Sequence, residues 1–146
     1  MSELAMEEKA IALAVKAHAG QWRKGHEPYI MHPLRVMFAF NGVPGRRGQV
    51  LRSAAVLHDV VEDCGITVEM IAANIDPEVA EIVDRVSRRK GEIYADFVVR
   101  AGAHNLARLV KIADTEDNLS TVDEIPDPDE AKSLRRRYEW TLSVLR

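Results

Sequence analysis

The sequence predicts an all-α fold on three observations. Apolar residues recur at three- and four-residue intervals through most of the chain, strand-like alternation is never sustained, and helix start signals precede several of the periodic runs. Such a pattern packs helix on helix in a compact bundle. With 146 residues, 47% hydrophobic and 29% charged, and only 6 Pro and 8 Gly, residues 1–146 read as a single globular domain.

Ser2 is placed to cap a first helix in which Leu4, Ile11, Val15 and His18 recur at helical spacing and face inward, ending near Gly20. A basic, polar loop from Gln21 to Met31 follows. His32–Pro33 then marks a helix start with proline at its first position, which puts His32 at a helix N-terminus. The turn-rich segment 42–48 precedes a long helix from Gln49 to about Glu62, closed by Asp63–Cys64–Gly65. Thr67 caps a short helix through Ala73. Asp76–Pro77–Glu78 supplies a cap, a first-position proline and a first-turn acid for the next helix, through Val86. Segments Ile93 to Ala101, Leu106 to Asn118 and Pro128 to Leu145 complete the series, the last after an acidic, proline-bearing linker. Tyr138 and Trp140 read as neighbouring core aromatics on it, and His18 as a packing histidine.

No apolar stretch approaches the roughly 18 residues of a membrane helix, and the acidic start, Met1 to Glu8, lacks the basic flank of a signal peptide. A lone cysteine, Cys64, rules out an internal disulfide and a cysteine-rich zinc site, so a cytoplasmic location is expected and any metal must use histidine and carboxylate. A net charge of −3 argues against a basic nucleic-acid surface but leaves small anionic ligands open. The clusters Arg23–Lys24, Arg46–Arg47, Arg88–Arg89–Lys90 and Arg135–Arg136–Arg137 each read as solvated patches.

The chemistry concentrates in Ser53 to Asp63, where an apolar helical run presents His58, Asp59, Glu62 and Asp63 within about one turn. On a continuous helix Asp59 neighbours both Glu62 and Asp63, so three carboxylates repel one another. One reading is a helix end with solvated acids; the other is a bound divalent cation that offsets the repulsion. Two more segments bear on the choice. His32 starts an apolar helix, and Asp114 follows Leu109, Val110, Ile112 and Ala113, where a carboxylate needs a cation or a partner such as Lys111.

The ordered set His32, His58–Asp59 and Asp114 is similar to the metal motif of HD-domain phosphohydrolases. More specifically, AHAGQWRKG, EPYIMHPLRV, AAVLHDVVEDCGIT and LVKIADTEDNL, in order over about residues 10 to 120, resemble the alarmone hydrolase domain of RelA/SpoT homologues and small stand-alone alarmone hydrolases. The resemblance implies an HD-type helical bundle with a mononuclear site, usually manganese, with zinc or iron as alternatives. The implied reaction releases pyrophosphate from the 3′ position of guanosine tetra- or pentaphosphate. By position, His32, His58, Asp59 and Asp114 become metal ligands, Glu62 and Asp63 the catalytic acidic pair, and Arg23, Lys24 and Asn118 nucleotide contacts. The partner is then a small anionic nucleotide.

The family continues after its final aspartate with a basic residue, an apolar residue and His or Tyr before Asn, whereas this chain has Thr115–Glu116–Asp117 before Asn118. Asp117 lies three positions beyond Asp114. It is expected either to oppose a highly phosphorylated ligand from that helix face or to point into solvent. Two alternatives accompany the alarmone reading: an HD-type hydrolase of another nucleoside phosphate or phosphorylated cofactor, and a helical module that binds metal and ligand without turnover.

Overall fold

The computed structural model describes residues 5–23 and 27–146. The expected positions of Ser2, Leu4, Lys24 and His26 lie outside them. The element order is α1 (Met6–Ala17), α2 (Met31–Phe38), α3 (Gly45–Leu57), α4 (Val60–Asp63), α5 (Val68–Asn74), α6 (Pro77–Val86), α7 (Tyr94–Gly102), α8 (Asn105–Ser120) and α9 (Pro128–Leu145). A 3₁₀ turn, Val122–Glu124, separates α8 from α9. No strand occurs among the described residues; an isolated antiparallel bridge joins Trp22 to Pro28 and pinches the loop after α1. The all-α prediction holds. No helix among the described residues is long and apolar enough to cross a membrane.

Helix α3 lies at the centre. From Ser53 to Leu57 every residue is buried, as are Gly48, Val50 and Leu51. A helix that is apolar nearly all round must be enclosed, and α3 packs against α1, α2, α6 and α8. Helix α1, packed on α3, buries Ala10, Ala14 and, just beyond its end, His18. Val15, expected inward, is half exposed; the small alanines, one turn apart, form the contact stripe that lets the two backbones approach. Helix α6 contributes Val79, Ile82, Val83 and Val86, and its cap is as expected, with the Asp76 carboxylate accepting from the Glu78 and Val79 amides.

Two boundaries differ from expectation in ways that shape the site. Helix α2 begins at Met31, so Pro33 is its third residue, still among the first four positions whose N–H groups have no partner within the helix. The expected continuous helix from Gln49 to Glu62 begins at Gly45 and breaks at His58–Asp59. There the His58 amide reaches back only to the Ala55 carbonyl, at 3.4 Å, and its Nδ1–H donates to that same oxygen at 2.6 Å. The tightened turn brings the two side chains together, Asp59 Oδ2 lying 3.0 Å from His58 Nε2, where a regular helix would point them about 100° apart. Gly65, with φ +70°, then takes the left-handed conformation that ends the segment.

Candidate metal centre

His32 enters from α2, His58 and Asp59 from the α3–α4 break, and Asp114 from α8. His32 and His58 are 2% and 1% exposed, and Asp114 is 6% exposed. One ligand atom each from His32, His58 and Asp59 lies within 4.8 Å of the others, a grouping able to hold a metal ion. Asp114 Oδ1 joins them, 2.9 Å from His32 Nε2 and 3.1 Å from His58 Nε2, while Asp59 Oδ2 is 3.0 Å from His58 Nε2.

The surrounding hydrogen bonds decide what these atoms present. His58 Nδ1 is committed to the Ala55 carbonyl and His32 Nδ1 to Asp117 Oδ2, both at 2.6 Å. Each acceptor calls for a proton on Nδ1, so in the neutral imidazoles both Nε2 atoms offer lone pairs. They face each other at 3.2 Å, beside the carboxylate oxygens. Acceptors facing acceptors in a buried site are satisfied by a proton or by a cation between them, and two imidazoles with two carboxylates suit a divalent transition metal. The residues therefore fit the metal that the sequence pattern implies.

Further donors fix the carboxylates. Tyr29 Oη donates to Asp59 Oδ2 at 2.6 Å, Asn118 Nδ2 to Asp114 Oδ1 at 3.2 Å, and buried Lys111 Nζ to Asp114 Oδ2 at 2.9 Å. The salt bridge to Lys111, weighed against a metal role at the sequence level, coexists with the histidine contacts. Burial works against ionisation of Asp114, but the Lys111 and His58 charges outweigh it and hold the carboxyl well below its usual range. Burial likewise opposes charge on His58, yet the Asp59 and Asp114 carboxylates raise it well above its ordinary value; hydrogen bonds to Asp114 and Asp117 raise His32 against the same opposition.

These shifts give a testable sign. Histidines raised on folding contribute stability that is full below their unfolded value near pH 6.5 and is lost as pH climbs through the raised folded values. The melting temperature of chelator-treated protein is expected to fall from pH 6 to pH 9, and added Mn²⁺ to restore more of it at pH 9. A melting temperature that rises over this interval without metal would contradict the arrangement.

A cavity of about 230 Å³ opens over the cluster, lined among others by His32, Asp59, Glu62, Lys111 and Asp114. Glu62 sits at the rim, its carboxylate accepting from the Arg88 amide. Packing around it desolvates the group and raises its pKa, with the Asp59 charge adding to the effect. Asp63 is also raised, by desolvation and then by Asp59, but it does not line this cavity. A second cavity of about 330 Å³ adjoins the first, sharing Tyr29, Asn118 and Tyr138, and contains Trp22 and Arg23. Arg23 and Asn118 are hydrogen-bonded to each other at 2.9 Å, so the structure brings two of the three expected nucleotide contacts together; Lys24 is outside the described residues.

Several site residues escaped the sequence reading. Arg88 and Arg137, read as solvated patches, line the metal-side cavity, and both guanidinium groups stack over the Tyr94 ring at 5.5 and 4.5 Å. Tyr138 lines both cavities and Trp140 is 42% exposed, so they are not a core pair. Nor does Asp117 point into solvent or into either cavity; it binds His32 and Arg35. His18 is buried as expected, bonded to Gln21, and His104 caps α8. Burial raises the Cys64 thiol, which fits a packing role.

Residues 10–93 match the family model described as HD domain. The chain is 32% identical to a guanosine-3′,5′-bis(diphosphate) 3′-pyrophosphohydrolase of Vibrio cholerae over 88% of its own length and 19% of that protein. It is 28% identical to a probable GTP pyrophosphokinase of Mycobacterium leprae, over 94% of its length and 18% of the relative. The chain thus spans about a fifth of these relatives. It is 29% identical to the human 3′-pyrophosphohydrolase MESH1, covering 99% of this chain and 86% of that one. A solved structure described as a metazoan ortholog of SpoT that hydrolyzes ppGpp superposes with a TM-score of 0.79 at 23% identity, over 99% of this chain and 85% of the other. The family match takes in His32, His58 and Asp59, and the fold carries Asp114 in from α8 to meet them; the chain belongs to the HD domain family.

Proposed function

We propose that this chain is a divalent-metal-dependent phosphohydrolase that releases pyrophosphate from the 3′ position of guanosine tetra- or pentaphosphate. The observation that carries the reading is the pair of adjoining cavities: one over the His32–His58–Asp59–Asp114 cluster, with Glu62, Arg88 and Arg137 at its edge, the other bordered by Trp22, Tyr29 and Tyr138. The first suits a phosphate group, the second a nucleoside. Relatives named as 3′-pyrophosphohydrolases, one matched over nearly its whole length, support the same substrate.

In this proposal His32, His58, Asp59 and Asp114 hold Mn²⁺, with zinc or iron as alternatives. The cation, when bound, polarises the phosphoryl group and acidifies water. Glu62, its pKa raised by desolvation, accepts the proton of the attacking water at its carboxylate. Asp63 stands beside Glu62 and adds to the rise of its pKa. Arg88 and Arg137 offset phosphate charge, and Arg23 with Asn118 orients the nucleoside side. The water oxygen bonds to the phosphorus, the P–O3′ bond breaks and O3′ takes up a proton, leaving pyrophosphate and the nucleoside 5′-diphosphate from the tetraphosphate or 5′-triphosphate from the pentaphosphate. The chain acts in the cytoplasm as one domain on a small nucleotide rather than on nucleic acid.

One observation favours a second reading, a less highly charged nucleotide or phosphorylated cofactor. Arg23 lies 3.4 Å from Glu27 and 3.7 Å from Asp117, so its charge is largely compensated within the protein. Pyrophosphate release from the tetraphosphate with Mn²⁺ is expected, and is abolished in Asp59→Ala. Turnover of other phosphorylated substrates in a panel, with none of the tetraphosphate, would replace the first reading with the second.

A further inference from the structure

Asp117 stands behind the metal cluster rather than in front of it. Its Oδ2 is 2.6 Å from His32 Nδ1, the ring nitrogen turned away from the cluster, while Arg35 donates to it through Nε at 2.7 Å and a terminal nitrogen at 3.1 Å. Glu27 grips the same guanidinium at 2.6 and 2.8 Å. The contacts close into a ring: Arg23 bonds Glu27 and Asn118, Asn118 bonds Asp114, and Asp114 meets His32 Nε2. The α2 helix, the α8 helix and the loop carrying Arg23 are thus tied around one imidazole.

We infer that Asp117, oriented by Arg35, is a positioning residue for His32: it fixes the proton on Nδ1 and aims Nε2 at the cation. The inference rests on the metal-dependent reading. His58 receives the same service from a main-chain carbonyl, Ala55, so the two imidazoles are oriented by acceptors of different kinds. A carboxylate behind a ligating imidazole both locks the ring and strengthens its donor nitrogen. Because Asp117 lines neither cavity and bonds His32 Nδ1 directly, its effect on Mn²⁺ binding passes through His32.

Calorimetric titration of the full chain with Mn²⁺, at a temperature where circular dichroism shows each variant folded, tests this. Asp117→Ala is expected to weaken Mn²⁺ binding by about 10–100-fold. Asp117→Asn, whose amide oxygen still accepts from Nδ1–H, should lose less. Arg35→Ala should weaken binding too, and adding it to Asp117→Ala should cost little more, since both act on one imidazole. Affinity within about threefold of wild type in Asp117→Ala would overturn the inference. If that variant does not fold, unchanged affinity in Arg35→Ala overturns it instead. Wild-type protein that binds no Mn²⁺ contradicts the proposed function and the inference together, whereas wild-type binding with unaffected variants contradicts only the role of Asp117.

Discussion

Asp114→Ala is expected to abolish Mn²⁺-dependent turnover and to destabilise the protein by about 3–5 kcal/mol, the range for breaking one side of a buried ion pair. Two losses coincide in one residue. The cluster loses the oxygen that touches both Nε2 atoms, at 2.9 and 3.1 Å. Lys111, 8% exposed, loses the carboxylate 2.9 Å from its ammonium and is left charged in the interior, with the Phe97 ring at 5.0 Å and the weaker pull of the Asp59 and Glu62 carboxylates in its place. The losses separate in a second variant. Lys111→Met combined with Asp114→Ala removes the stranded charge and should regain most of the stability, with no return of activity. Urea unfolding and pyrophosphate release read the two effects; an Asp114→Ala protein that keeps wild-type turnover would remove Asp114 from the centre.

Glu62→Gln is expected to lower kcat by about 10²–10⁴-fold, the range for general base catalysis, and to leave Mn²⁺ affinity close to wild type. Glu62 lines the cavity but is not in the group of His32, His58 and Asp59 whose ligand atoms lie together. Desolvation raises its pKa, so the ionised base forms at higher pH than for an ordinary glutamate and wild-type turnover should climb as pH rises through that raised value. The Glu62→Gln protein lacks this group, and its residual rate should lose the corresponding limb. Asp63→Asn should cost less, since Asp63 lies outside the cavity lining. A Glu62→Gln enzyme with unaltered kcat and pH profile would assign proton transfer elsewhere.

Residue spacing carried the helical class, the caps at Thr67 and Asp76, and the long last helix, because these depend on neighbours in the chain. Helix α3 was legible too, but its break was not: the Nδ1–H of His58 donates to a carbonyl three residues back, a choice set by the direction of one side chain. The four cluster residues stood out as polar groups in apolar surroundings. Tyr29 was within reach of the same reasoning, one helical turn before His32, and its bond to Asp59 explains the tyrosine in EPYI. Asp117 was misplaced because spacing identified the shared face of α8 but not that Arg35 and His32 wait on α2 to receive it. Arg88 and Arg137 come from well-separated segments, and nothing local in either basic run says that they meet over Tyr94.

The proposed function requires His32, His58, Asp59 and Asp114 to hold one divalent cation. A crystal of the Mn²⁺-soaked protein, with anomalous diffraction collected at the manganese edge, tests it most directly. One strong peak is expected, bonded to His32 Nε2, His58 Nε2 and oxygens of Asp59 and Asp114 at about 2.0–2.4 Å. A peak held by other residues, or none between these four in a crystal shown to contain manganese, would contradict it.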